Sequence, residues 1–307
     1  EADVLFDLMR MRLVASVCIS SRQSALHPEN EYLLVSQEPA FALLERLDAI
    51  NPEFFVALFR RSAGFDATRT AGAVRDWLAA QDMGEMFAPA LNRSARMALQ
   101  TDGRLPGMPA YSDRGFDAWF LAQRPAGLSE GAAFYGFGPY GEQRGVYATD
   151  QFADVASPER RTRHLGIDVF APAGTEVFAP LDGEVAYVTY NADPLDYGNT
   201  LILRHDIGGG LAFYTLYGHL GGSLPNLLKV GQRVRKGDLI CHLGDWHENG
   251  GWAPHLHFQI MSDILQQTEG NFFGVGHDSL WDVWSDICLD PNLIMQVAPE
   301  SFLIDPM

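Results

Sequence analysis

Residues 251–260 read GWAPHLHFQI. In an extended strand His255 and His257, two positions apart, point to one side while Leu256 and Phe258 point to the other. Two imidazoles therefore converge on one site from a rigid element. The text upstream has the same character. Val177 and Phe178, APLDGEVAYV at 179–188, NTLILRH at 199–205, LAFYTLYGHL at 211–220 and VGQRVRKGDLICHLG at 230–244 are short β-branched and aromatic runs bounded by Gly, Asp and Pro. Such runs predict an antiparallel sheet, with Gly231 and Gly237 at turns.

Toward the N-terminus the period changes. Val4, Leu5, Leu8, Met11 and Ala15 recur at helical spacing and predict one apolar stripe. A second helix is expected after Ser36, a third after Asn51 as N-cap with Pro52 in its first turn and Gly64 as its stop, and a fourth around Val74, Trp77 and Leu78. Stretches such as LPGMPAYSDRG and FYGFGPYGEQRG then read as loops crossing a surface. The expected class is α+β: a helical region over 1–100, linker and loops over 101–145, a β-rich domain over 146–265 and an irregular tail over 266–307.

Two further motifs precede HLHF at 255–258, namely HLGID at 164–168 and LYGHL at 216–220. A catalytic zinc takes three nitrogen or oxygen ligands from protein and leaves a fourth position open. His164 and Asp168 supply two if Gly166 lets the backbone bend, and one more histidine completes the set. Three motifs within one predicted sheet are hard to attribute to packing alone.

These motifs, with GIDVFAPAGTEVFAPLDGEV, YGNTLILRH and VGQRVRKGDLICHLG between them, resemble the lysostaphin-type or LytM-type zinc metallopeptidases over about 163–261. The resemblance implies a zinc-dependent endopeptidase acting on a peptide or small amide, in this family often peptidoglycan. It implies that His164, Asp168 and His257 bind Zn2+, while His219 and His255 line the cleft as the proton-transferring pair. One departure is DWHENGGWAP at 245–254, bulkier than the Gly, Thr and Ser turn usual in the family and expected to bring Trp246, His247 and Trp252 to the cleft wall. His247 itself is expected to be a solvated loop side chain, and His27, His205, His242 and His277 are given no chemical role. DLMRMRLVASVCIS at 7–20, EYLLVSQEPAFALLERL at 31–47 and CLDPNLI at 288–294 resemble the joins of a fusion between a small-molecule phosphotransferase, such a peptidase and a class III aminotransferase. Those two domains would then be covalent neighbours.

Composition narrows the alternatives. The 307 residues carry 39 acidic against 22 basic side chains, a formal charge of -17, which disfavours nucleic acid and other polyanions as partners. Cys18, Cys241 and Cys288 are far apart and unpaired in any Cys-x-x-Cys, so buried free thiols are expected. No apolar run is long enough for a membrane span. The absence of a signal segment and the fusion resemblance favour the cytoplasm, with the periplasm or envelope as the alternative had a leader been removed. A carrier-barrel reading of APLDGEV and VGQRVRKGDLI needs a modifiable lysine at a hairpin tip, and Lys229 abuts the second half-motif instead. The remaining alternative is a non-catalytic metal-binding or scaffold module within a multidomain small-molecule-metabolising enzyme.

Overall fold

The computed structural model describes residues 1–101, 105–129, 131–145 and 159–304. Four helices lead the chain: α1 (Ala2–Leu26), α2 (Gln37–Asp48), α3 (Pro52–Ser62) and α4 (Ala71–Ala79). Then come β1 (Ala95–Ala98), α5 (Phe116–Ala122), β2 (Phe134–Gly138), β3 (Arg163–His164), β4 (Ile167–Phe170), β5 (Glu176–Phe178), β6 (Gly183–Asn191), β7 (Gly198–Gly208) and β8 (Leu211–Leu220). The rest is α6 (Leu224–Leu227), β9 (Arg233–Val234), β10 (Leu239–His242), β11 (His255–Met261), β12 (Val275–Gly276), α7 (Trp281–Ile287), β13 (Cys288–Leu289) and α8 (Asn292–Met295). The class is α+β, as expected.

The main sheet runs β1-β2-β4-β11-β8-β7-β6-β9, with β13 joined to the end of β11. All its pairings are antiparallel except β1 with β2. β5 pairs β10 and β3 pairs β12 in two small ribbons. Leu256, Phe258 and Ile260 of β11 enter the main core beside Leu201, Leu203, Phe213 and Tyr217. Its other face is buried too, and carries the histidines. Gly231 and Gly237 take φ of 81° and 87°, left-handed turn conformations that glycine adopts without a Cβ penalty.

The helical expectations hold in α3 and differ in α1. The Asn51 side chain accepts a hydrogen bond from Phe54 N at 3.0 Å, Pro52 opens the helix, and Gly64 with φ 86° follows its end. In α1 the predicted stripe faces outward: Val4, Leu5, Leu8 and Met11 are exposed, and the buried positions are Phe6 and Val17. Apolar residues surround this helix on several sides, and on the buried side Phe6 packs against Phe55 of α3, at 5.0 Å between ring centroids. Cys18, on the same helix, is exposed, whereas Cys241 and Cys288 are the buried thiols expected. α4 instead joins the main core through Ala71, Val74 and Leu78.

The stretch read as loops over 101–145 contains α5 and, in FYGFG, the fully buried strand β2. Glycine masks the strand signal. A Cβ on Gly136 would stand 2.4 Å from Leu99 Cδ1, so the glycine serves close packing within a strand, not a turn. The 266–307 segment is likewise more regular than expected, containing β12, α7, β13 and α8. The expected start of the β-rich part at 146 lies outside the described residues. Among the described residues no helix is long and apolar enough to cross a membrane.

His205 on β7 is buried where it carries no chemistry. Its Nδ1 donates to Asp182 O at 2.7 Å, its Nε2 accepts from Thr215 Oγ1 at 2.8 Å, and its ring stacks on Phe213. Burial pushes its pKa down to about 4. The unfolded chain, with a pKa of about 6.5, therefore binds the extra proton first as pH falls, and stability drops between about 6.5 and 4 by up to roughly 1.4 kcal/mol per pH unit. Denaturant midpoints of wild type and His205→Gln, measured from pH 7 to 4.5, should show a shallower decline in the variant. Parallel curves would refute this.

Candidate metal centre and cleft

Three strands and one ribbon meet at the site. β4 and β11 are antiparallel neighbours with Asp168 opposite His257, and His257 is opposite Gly218 of β8 on the other side. His164 sits on β3, opposite Val275 of β12, with its backbone N–H bonded to Glu142 O at 2.9 Å. This arrangement brings His164, Asp168 and His257 together, all buried. His257 Nδ1 lies 3.0 Å from Asp168 Oδ1 and 3.1 Å from His164 Nε2, and His164 Nε2 lies 3.2 Å from the same Oδ1. Tetrahedral zinc with ligands at 2.0–2.1 Å needs ligand–ligand edges of roughly 3.3 Å. The donor set and its spacing therefore fit such an ion.

Second partners decide which ring nitrogen faces inward. His164 Nδ1 donates to Pro139 O at 3.0 Å, leaving Nε2 to the site. His257 Nε2 donates to Gln259 Oε1 at 3.0 Å, leaving Nδ1. Gln259 is oriented in turn, its amide nitrogen donating to Phe273 O and Cys288 Sγ, both at 3.1 Å. Such outer hydrogen bonds fix tautomer and ring angle in metal sites. Gly166 contributes space rather than a bend: its φ is not left-handed, but a Cβ there would lie 2.6 Å from His257 Cε1.

His219 and His255 stand beside this trio, their ring centroids 4.3 Å apart. His255 Nδ1 donates to Ala253 O at 2.6 Å and His219 Nδ1 to Asn249 O at 2.9 Å, so both keep Nε2 for the cleft. The Nε2 of His255 is 3.8 Å from Asp168 Oδ1. His219 has φ 63°, a strained conformation for a residue with a Cβ. It is held there by hydrogen bonds from its N–H to Tyr197 O and from Gly244 N to its carbonyl, at 2.8 and 2.9 Å.

Burial decides the charge state of the imidazoles. It pushes His255 down to about 4, and His219 well below the ordinary histidine value, with the neighbouring histidines adding to the effect. His164 is lowered by burial and by the Arg144 guanidinium. All three are neutral near pH 7, with lone pairs available for a proton or a metal. Burial opposes the charge on Asp168, but the Arg144 guanidinium beside it helps to hold its carboxyl well below the usual range.

The cleft above has a volume of about 350 Å³ and is lined by His219, His255 and His257 together with Tyr111, Tyr197 and Trp252. Of the loop expected to wall it, only Trp252 does so. Trp246 packs behind the wall in the aromatic cluster that also holds Tyr111 and Trp252, its Nε1 bonded to Asp117 Oδ2 at 2.8 Å, and His247 is exposed, as expected of a solvated histidine. The loop's larger contribution is Asn249, fully buried, whose side chain bonds Gly244 O, Trp252 O, Gly251 N and Trp252 N while its carbonyl orients His219. Sequence reasoning missed Asn249, Gln259 and Arg144. Only Gln259 had a local signal, lying two residues beyond His257 on the same strand face.

An antiparallel sheet that gathers two imidazoles and a carboxylate under a cleft offers the donor set of a metal centre with an open position. Residues 162–269, about a third of the chain, match the model of Peptidase family M23. It is 36% identical over 132 residues to an uncharacterized metalloprotease of Haemophilus influenzae, covering 41% of this chain and 25% of that protein. It is also 36% identical over 98 residues to the peptidoglycan DD-endopeptidase ShyC of Vibrio cholerae, covering 32% and 20%. The chain thus spans a quarter or less of the length of these relatives. Among structures, a zinc containing peptidase from Vibrio cholerae matches at 29% identity over 40% of this chain and 31% of that one, with a TM-score of 0.30. The lysostaphin catalytic domain from Staphylococcus simulans matches at 23% identity over 48% and 92%, with a TM-score of 0.31.

Proposed function

We propose that the chain is a zinc-dependent endopeptidase that cleaves a peptide or amide bond, with His164, Asp168 and His257 holding the ion. The observation that carries this reading is the trio of inward-facing donor atoms, 3.0 to 3.2 Å apart and fixed by their second partners. Zinc bound there supplies Lewis acidity toward a substrate carbonyl and acidifies water. The protein's own part is proton handling and orientation. His255 and His219, neutral and open at Nε2, can take the proton of the attacking water and pass one to the leaving amine, and the protonated partner can donate to the developing oxyanion. The two rings, with centroids 4.3 Å apart, are close enough to exchange these roles. Tyr197 walls the ligand side and Trp252 the His219 side.

A relative named as a peptidoglycan DD-endopeptidase supports a muropeptide-type peptide as substrate. Metal analysis and a cleavage panel of muropeptides and plain peptides test the proposal together. About one zinc per chain with chelator-sensitive hydrolysis is expected. Folded protein that takes up no zinc would overturn it. The wider reading, of phosphotransferase and aminotransferase neighbours in one cytoplasmic polypeptide, is supported by the text of residues 7–20, 31–47 and 288–294. Mass measurement of the native polypeptide tests that part.

A further inference from the structure

Asp168 uses one carboxylate oxygen for the trio, and its other oxygen is occupied from outside the 162–269 match. Arg144, 1% exposed, places NH1 2.7 Å from Asp168 Oδ2 and Nε 2.8 Å from Glu142 Oε2. Glu142 is anchored through Oε1 by the N–H and hydroxyl of Thr101. Two further contacts locate the guanidinium. It lies over the Tyr111 ring at 5.3 Å, and Gly138 of β2 makes room for it, since a Cβ there would stand 2.6 Å from Arg144 NH2 and 3.2 Å from Asp168 Cβ.

We propose that Arg144 is a positioning residue of the metal centre: it pins Asp168 Oδ2, so that Oδ1 alone is presented to the ion, and Glu142 balances its charge. This inference rests on the zinc reading above. The charges explain why both residues are needed. A lone guanidinium beside a dication would weaken metal binding, and a lone Asp168 carboxylate could rotate or offer both oxygens. With Glu142, Arg144 and Asp168 together the net charge equals that of Asp168 alone. What the pair contributes is direction, through the planar fork that arginine has and lysine lacks. The sequence text EQRG thereby becomes part of the site, although it lies 24 residues before the aspartate and outside the family match.

The test compares wild type, Arg144→Met, Arg144→Lys and Glu142→Gln by zinc competition with a chromophoric chelator and by the visible spectrum of the cobalt-substituted proteins. Arg144→Met should bind zinc roughly 10- to 100-fold more weakly. Its cobalt bands should shift and weaken as Asp168 gains freedom to offer both oxygens. Arg144→Lys should recover part of the affinity but not the spectrum. Glu142→Gln keeps the shape of the side chain, so it probes the charge balance even if Arg144→Met does not fold, and it should also weaken zinc binding. Wild-type affinity and spectrum in the folded variants, with an effect confined to KM, would show that Arg144 contacts substrate instead and would overturn the proposal. Wild-type protein that binds neither metal would overturn the zinc reading itself, a distinct result.

Discussion

His257→Ala is expected to abolish hydrolysis, by roughly a thousand-fold or more, and to leave the purified protein with little or no zinc. His257 Nδ1 is one corner of the donor triangle, and its ring also fills the space that Gly166 leaves open. Its loss removes a ligand and opens a gap beside Asp168. A neutral ligand is lost while the carboxylate remains, so weak metal uptake at high concentration is compatible with the result. Equilibrium dialysis against a buffered zinc series, with turnover measured on the same samples, checks it. The fold should survive, because the strand is held by pairing to β4 and β8 and by Leu256, Phe258 and Ile260 beneath. A variant with full zinc content and normal turnover would remove His257 from the ligand set.

The second large effect separates chemistry from binding. His255→Ala and His219→Ala should each retain about one zinc and lose kcat by roughly 100- to 10,000-fold, the range typical of a lost general acid or base. Neither ring belongs to the donor triangle, and each presents a free Nε2 to the cleft because its Nδ1 is engaged by a loop carbonyl. Both are neutral near pH 7 through burial, which suits a proton acceptor. KM should change less than kcat. If either variant lost zinc in parallel with activity, that histidine would be a ligand, and the division of the five side chains would have to be redrawn.

Much of this arrangement was legible in the chain itself. The alternation in GWAPHLHFQI placed His255 and His257 on one face and Leu256 and Phe258 in the core, because strand periodicity is a local property of the backbone. The Asn51-Pro52 cap and the turns at Gly231 and Gly237 were readable for the same reason. FYGFG was not, since its glycines are there for Leu99 and for the Arg144–Asp168 pair, neighbours that no local pattern announces. The stripe on α1 was misread because helical spacing marks a face without saying what covers it; the face that is covered is the one where Phe6 meets Phe55 of α3.

The sequence by itself determined the residue types of the site, the strand that carries two of its histidines and the α+β character of the chain. Only the tertiary structure decided that Asp168 faces His257 across a strand pair, that Gln259, Pro139, Ala253 and Asn249 choose the nitrogen each histidine presents, and that Arg144 holds the far oxygen of Asp168. The physical reason is range. Periodicity and turn chemistry act over a few residues, whereas ligand orientation depends on hydrogen bonds between groups up to about ninety residues apart, such as His164 and His257. Those contacts exist only once the sheet has closed around them.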